Sequence, residues 1–442
     1  MKRFAASFLI VVFVSASCAE AQQTREEKVR ADRARIEAEE FWIYNDLEAG
    51  LEEAREAGKP VLVTLRCLPC EACAKLDEEV AERDPRVRDL LDEFVCVRMV
   101  HANGMDLSLF QFDYDQSWAA FVLHADKTII ARYGTRSHQT ESDDDVSVEG
   151  FAKTLKAALA IHDEFSKHRD ALAAKRGPAA EIEVPENLPT LEGRYGSQLD
   201  YEGQVVKSCI HCHQVGDALR AGYLLEGEPI PEKLLFPYPN PKQFGLIMDP
   251  QEKSTVLRVE DGSHVQEIGF EAGDEIVSLE GQPVLSTADI QWVLHHADDP
   301  DELTAEVKRD GETFGLSWTL PKGWRRAGDI SWRVSSWPFR RIATGGLVLE
   351  DASGKVRRAA GVSEDDLALL VTYVGQYNEH AAAKRAGFEK GDVIVSYDGL
   401  TVRMTEGQLM AYAVNEKRPG ESVDVIVVRD GERIELTLPI QE

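Results

Sequence analysis

Cys209-Ile210-His211-Cys212-His213 places two thiols three positions apart, with an imidazole directly after the second. Thiols at that spacing can add to the two vinyl groups of one porphyrin, and the adjoining imidazole can reach the iron from the proximal side. The run therefore reads as the attachment site of one c-type haem, held by Cys209, Cys212 and His213. A zinc-binding or redox cysteine pair that happens to precede a histidine is the other reading of the same five residues. A second set of thiols, Cys67, Cys70 and Cys73, follows an apolar run ending at Leu65. Cys70 and Cys73 fall at the start of a predicted helix, where free amides and the helix dipole stabilise a thiolate, which makes them the catalytic candidates for thiol-disulfide chemistry. Cys96 sits among Phe94, Val95 and Val97 and reads as a small buried apolar residue.

The start of the chain carries an export pattern. Lys2 and Arg3 precede the apolar core Phe8 to Val14, and Ala19-Glu20-Ala21 offers small residues for cleavage, so residues 1–21 read as a signal peptide and the protein as periplasmic or otherwise exported. Ser15-Ala16-Ser17-Cys18 offers the alternative of a lipid anchor on Cys18. No later apolar run approaches the ~20 residues that span a bilayer. An oxidising compartment is where haem is attached and where thiol pairs cycle through disulfides. Fifty basic against 78 acidic residues give a formal charge of −28, which repels nucleic acid and excludes it as a partner. At 442 residues with seven cysteines the chain is too long for a disulfide scaffold, so the cysteine clusters point to chemistry.

The elements that must position these groups come in a clear order. Residues 22–40 form a charged helical lead. A helix over 46–57 ends at Gly58, and Pro60 opens a strand over 61–65. A helix from Cys70 to Val80, a strand over 94–100, paired strands at 121–123 and 129–133, and a helix over 148–161 complete a β-α-β-then-ββ-α plan. Residues 167–203, rich in charge and proline, read as a linker, and 204–240 as the haem-attachment segment. No Met or His occurs between Gln214 and Ile247, so the iron would either be five-coordinate or take a sixth ligand from elsewhere: Met248, His101, His124 or Met105.

The second half is duplicated. Gly269-Phe270-Glu271-Ala272-Gly273-Asp274-Glu275-Ile276-Val277-Ser278 returns as Gly387-Phe388-Glu389-Lys390-Gly391-Asp392-Val393-Ile394-Val395-Ser396, and Arg309-Asp310-Gly311-Glu312 returns as Arg429-Asp430-Gly431-Glu432. Two related domains, 241–322 and 340–440, are expected, with a linker over 323–339. Gly273 and Gly391 allow the turn before a strand, so the motif itself is structural.

Two resemblances add to this reading. Gly58-Lys59-Pro60-Val61-Leu62-Val63 followed by Cys70-Glu71-Ala72-Cys73 resembles the strand and active-site helix of the thioredoxin-like superfamily over about 41–166. That likeness implies Cys70 as attacking and Cys73 as resolving thiol. Thr64, Pro69 and Ala119 depart from it, standing where the family has a buried Asp, a Trp and a cis-proline. An opened site of that kind leaves three readings: thiol redox, a soft metal such as Cu(I) or Zn(II) at Cys67, Cys70 and Cys73 with His101 as fourth ligand, or a structural disulfide. The duplicated Gly-Phe-Glu-x-Gly-Asp signature resembles the PDZ domains found beside periplasmic high-temperature-requirement proteases. It implies binding of protein or peptide C-termini through the loops Phe244-Gly245-Leu246-Ile247 and Gly345-Gly346-Leu347-Val348. No Gly-x-Ser-x-Gly or other protease constellation accompanies them.

The expected fold class is thus multidomain α/β plus mainly β: a thioredoxin-like head, a short haem-binding segment and two PDZ-like β-barrel domains. The expected function is exported thiol-redox and electron transfer with an electron-transfer partner of unknown identity. The alternative is a non-enzymatic envelope scaffold or Cu/Zn-binding protein.

Overall fold

A computed structural model describes residues 24–68, 74–138 and 143–441. The expected signal peptide and Cys18 lie outside these residues, as do Cys70 and Cys73. The head comprises α1 (Arg25–Glu39), β1 (Ile43–Tyr44), α2 (Leu47–Ala57), β2 (Val61–Arg66), α3 (Ala74–Ala81), α4 (Arg88–Leu91), β3 (Val95–Met99), β4 (Trp118–Leu123), β5 (Ile129–Tyr133), α5 (Val148–Asp163) and α6 (Phe165–Ala173). Its sheet runs β1-β3-β2-β4-β5, with β2 parallel to β3 and antiparallel to β4. Every residue of β2 is buried, because both faces are covered. Alternate side chains supply opposite cores: Leu62, Cys96 and Val122 pack toward α3 and α5, while Val61, Val63 and Val97 pack toward α2. Cys96 is buried there among apolar neighbours.

The second core holds residues from far along the chain. Leu188, Leu191, Ile210, Cys212, Val215 and Ala218 all pack into it. Residues 174–203 are mostly irregular yet close against the head, and the CxxCH segment, with α7 (Val205–Ser208) and α8 (Cys212–Glu226), covers part of one face of the head.

After α9 (Glu232–Leu235), the first repeat is built from β6 (Leu246–Met248), β7 (Val256–Val259), α10 (His264–Ile268), β8 (Glu275–Leu279), β9 (Gln282–Pro283), α11 (Thr287–His296), β10 (Asp301–Arg309) and β11 (Glu312–Leu320). Its sheet order is β11-β10-β8-β9, beside a β6-β7 ribbon. The second contains α12 (Ser336–Thr344), β12 (Leu347–Asp351), α13 (Gly354–Ala360), β13 (Leu369–Val374), α14 (Ala382–Ala386), β14 (Val393–Tyr397), α15 (Glu406–Glu416), β15 (Ser422–Arg429) and β16 (Glu432–Pro439), with a sheet in the order β12-β13-β14-β15-β16.

The repeated residues meet in space. The Arg309 guanidinium donates to the Asp274 carboxylate at 2.6 and 2.9 Å and to the Gly269 carbonyl at 2.7 Å. Arg429 does the same with Asp392 at 2.7 and 2.8 Å and with Gly387 at 2.8 Å. The duplicated acid and the duplicated arginine therefore close one turn in each unit.

The segment between α8 and the first repeat is anchored at two points. The Asn415 side chain of α15 accepts from Ile230 N at 2.9 Å and donates to its carbonyl at 3.0 Å. Eight residues on, Tyr238 N donates to His295 Nδ1 at 3.3 Å and its carbonyl accepts from Gln291 at 2.8 Å, both on α11. Asn415→Ala removes the first anchor and is expected to cost about 1–3 kcal/mol, since two buried main-chain groups lose partners. A urea midpoint unchanged from the parent would rule out that contribution.

Candidate thiol and histidine site

Of the residues singled out by the sequence, Cys67 and Cys209 meet at His211 beyond the end of β2. Cys67 follows that strand, and its N–H donates to the Ser117 carbonyl at 3.0 Å. Its Sγ lies 3.2 Å from His211 Nδ1, across 144 residues of sequence. Cys209 Sγ is 3.9 Å from the same nitrogen. The CxxCH segment is clasped there by the loop after β3. Asn103 accepts from Ile210 N at 2.8 Å and donates to the Gly196 and Ser208 carbonyls at 2.7 and 2.9 Å, while Ala102 N donates to the Ile210 carbonyl at 2.9 Å.

The electrostatics of this cluster are those of neutral groups. Cys209 and Cys212 are 5% and 8% exposed. Burial, reinforced by the neighbouring Cys67, pushes the Cys212 thiol up to about 12 and raises Cys209 further. Burial likewise lowers His211 to about 4, with His213 and Arg25 adding repulsion, so its imidazole is neutral at pH 7. A neutral imidazole 3.2 Å from a thiol is within hydrogen-bond reach of it and fixes its position. His211 and Asn103 were not among the sequence candidates; the only signal was that His211 lies inside the motif.

His213 stands outside this contact. Its ring lies parallel to that of His211 at 5.7 Å, and its Nδ1 is 3.6 Å from Asp217 Oδ2. The donor set fits a c-type haem in kind: two thiols at one helix start, and an imidazole whose Nδ1 faces a carboxylate, which leaves Nε2 for iron. His101 lies in the clasping loop, lowered to about 4 by burial, with Nδ1 buried and unpartnered. Among the described residues, no three His, Cys, Asp or Glu side chains are arranged to hold a metal ion. His124 stacks on Phe165 at 3.7 Å, Met105 is in the head core and Met248 packs inside the first repeat.

Beneath the cysteine end lies a buried ion cluster. Arg98, 1% exposed, binds Asp77 at 2.8 and 2.9 Å and Asp32 at 3.0 Å, and Arg66 reaches Asp77 at 3.3 Å. Asp77 belongs to α3, the helix that follows Cys73.

The expected peptide loops are placed at the start of β6 and β12. Phe244 packs edge-on against Trp318, Gly245 adopts φ 83° and its carbonyl accepts from Glu260 N, while Leu246 and Ile247 pair with Val259 and Arg258 of β7. Gly346 N donates to the Arg340 carbonyl, and a Cβ on Gly346 would lie 2.1 Å from the His380 carbonyl, so only glycine fits. Leu347 is fully buried and Val348 half-buried in β12. One residue on, Leu349 N donates to the Glu406 carboxylate at 2.8 Å, which also pairs with Arg340.

Residues 42–125 match the thioredoxin-like family model, and residues 243–320 and 356–440 match the PDZ domain model. The chain therefore contains a thioredoxin-like domain and two PDZ domains in a multidomain α/β plus β architecture. It is similar to a putative zinc metalloprotease of Brucella suis biovar 1, 31% identical over 103 residues, which are 23% of this chain and 25% of that protein. It is also similar to a probable periplasmic serine endoprotease, DegP-like, of Ectopseudomonas mendocina, 28% identical over 136 residues, 30% of this chain and 26% of that one. The chain thus spans about a quarter of the length of these curated relatives. A solved HtrA-type protease, AlgW with decapeptide, is 17% identical with a TM-score of 0.21, covering 38% of this chain and 54% of that one. Among the described residues no helix is long and apolar enough to cross a membrane.

Proposed function

We propose that this chain is an exported thiol-redox and electron-transfer protein in which the head and the CxxCH segment form one composite site and the PDZ domains dock protein or peptide partners. The carrying observation is the 3.2 Å approach of Cys67 Sγ to His211, which brings the CxxCH thiols to the cysteine end of the thioredoxin-like domain. In this reading Cys70, as thiolate, attacks a partner disulfide and releases one partner thiolate. Cys73 then displaces the second, leaving a Cys70–Cys73 disulfide and a partner reduced by two electrons. His211 holds the Cys67 side chain in place through the contact at Nδ1. Cys209 and Cys212 would hold one haem c through thioether bonds with His213 as the proximal ligand, and a haem so held supplies one-electron chemistry.

The test is a pyridine haemochrome spectrum of the full chain exported from a host that attaches haem, beside a Cys209→Ser/Cys212→Ser variant. A c-type α-band lost in the variant is expected; its absence from the parent removes haem from the reading. A disulfide-reduction rate in Cys70→Ser equal to the parent's removes the thiol reaction.

The buried, unpartnered Nδ1 of His101 favours a second reading: a Cu(I) or Zn(II) protein in which Cys67, Cys70 and Cys73 hold the metal with His101 as fourth ligand and the PDZ domains serve as scaffold. Stoichiometric metal in the purified chain, together with no haem band and no titratable thiol couple, is its signature.

A further inference from the structure

A cavity of about 360 Å³ lies where the head, the segment before the first PDZ domain, α11 and the connection between the two PDZ domains meet. Arg136, Lys242, Arg325 and Arg333 line it, with Asp329 as the one carboxylate among the described lining residues and Trp332 among the aromatic walls. In a chain of charge −28, this concentration of cations is out of character.

Their pairing is also incomplete. Arg333 is neutralised by Asp113 and Asp115 of the head, at 2.5 and 3.3 Å. Among the described residues Arg136 bonds only neutral groups: the His138 and Asp115 carbonyls at 2.6 and 3.1 Å and Ser117 Oγ at 3.3 Å. Arg325 likewise donates to the His295 and Ala297 carbonyls at the end of α11. Both guanidiniums are buried. Burial of a charge without a counter-ion is costly, and so is leaving its donors unmade. Arg325 Nη1 and Arg333 Nε are buried donors without hydrogen-bond partners among the described residues. Lys242, exposed at the rim, has no carboxylate within ion-pair distance among the described residues. Residues 244–247 do not line the cavity, so it is distinct from the expected peptide loop.

Walls of Phe236, Tyr238 and Trp332 add flat apolar surface, with Arg136 already 5.2 Å from the Trp332 ring. The missing partner is thus an anion carried on a flat apolar body, of a size suited to the lower end of small-molecule sites. We infer that this cavity binds an aromatic carboxylate, supplied either by a free aromatic acid or by the C-terminal aromatic residue of a peptide.

Titration calorimetry on the full chain tests this with benzoate, its neutral isostere benzamide, inorganic phosphate, and Gly-Gly-Phe with a free or an amidated C-terminus. Benzoate is expected to bind, benzamide at least tenfold more weakly. Lys242→Glu, on the exposed rim, is expected to weaken benzoate about tenfold with an unchanged circular dichroism spectrum, and Asp329→Asn to tighten it. Gly-Gly-Phe binding above benzoate only with its carboxylate free assigns the source to a chain terminus; the reverse order assigns it to a free acid. Equal binding of benzamide, binding of phosphate alone, indifference to Lys242→Glu, or no heat with any probe overturns the assignment.

Discussion

Arg98→Ala lowers the unfolding free energy by about 3–5 kcal/mol, because it strips two buried carboxylates of the cation they share and leaves only the longer contacts of Asp77 with Arg66 and of Asp32 with Arg35, each at 3.3 Å. Arg98 is the hub that joins Asp32 of α1 to Asp77 of α3 across β3. Burial by itself raises Asp77, yet the Arg98 and Arg66 guanidiniums outweigh that and hold its carboxyl below the usual range. In the parent this contributes stability that is present above the unfolded carboxylate pKa and lost as pH falls through the folded one. With Arg98 gone the sign reverses. Burial dominates, the folded carboxyl titrates above its unfolded value, and the deficit shrinks on acidification. Urea midpoints of parent and variant at pH 7 and pH 4 check both statements. Equal midpoints at pH 7 would show that the cluster is solvated rather than buried. Because Asp77 anchors the helix that follows Cys73, the variant is also expected to lose reactivity at the cysteine end before it unfolds.

Acidification from pH 6.5 to 4 destabilises the parent by several kcal/mol. His101 and His211 are each held at about 4 by burial, and burial also places His295 well below its ordinary value. In this window the unfolded imidazoles bind protons that the folded ones refuse, so the unfolded state takes up more protons and stability falls with pH. A shift from 6.5 to about 4 corresponds to about 3 kcal/mol for one histidine by pH 4. Urea midpoints at half-unit steps measure the slope, and His211→Asn is expected to flatten it by roughly one histidine's share. A flat profile in the parent would mean that these imidazoles are charged in the folded chain.

Much of the fold was legible because its signals are local. The run Val61 to Leu65 is apolar on both faces, as a central strand covered on both sides must be, and it is found there as β2. The repeats were legible because Asp274 and Arg309 recur as Asp392 and Arg429, although their role in closing a turn appears only when the guanidinium is seen on the carboxylate. The composite site was not legible. Nothing in the spacing of residues 209–213 announces Cys67 as a neighbour, since that contact is set by how Ile210, Cys212 and Val215 fill the second face of the head. Residues 167–203 and 323–339 read as linkers because proline and charge dominate them, yet 167–173 belong to α6. Scattered apolar residues such as Leu188, Leu191, Trp324 and Ile330 nevertheless bury without any periodicity to flag them. Cys70 and Cys73 lie outside the described residues.

The twin anchors at Ile230 and Tyr238 tie one short segment to a helix of each PDZ domain. Asn415 holds Ile230 by two main-chain bonds, and Gln291 with His295 holds Tyr238. When one anchor opens, the other keeps the segment at a high local concentration set by the few residues between them, so it returns to its place rather than peeling away.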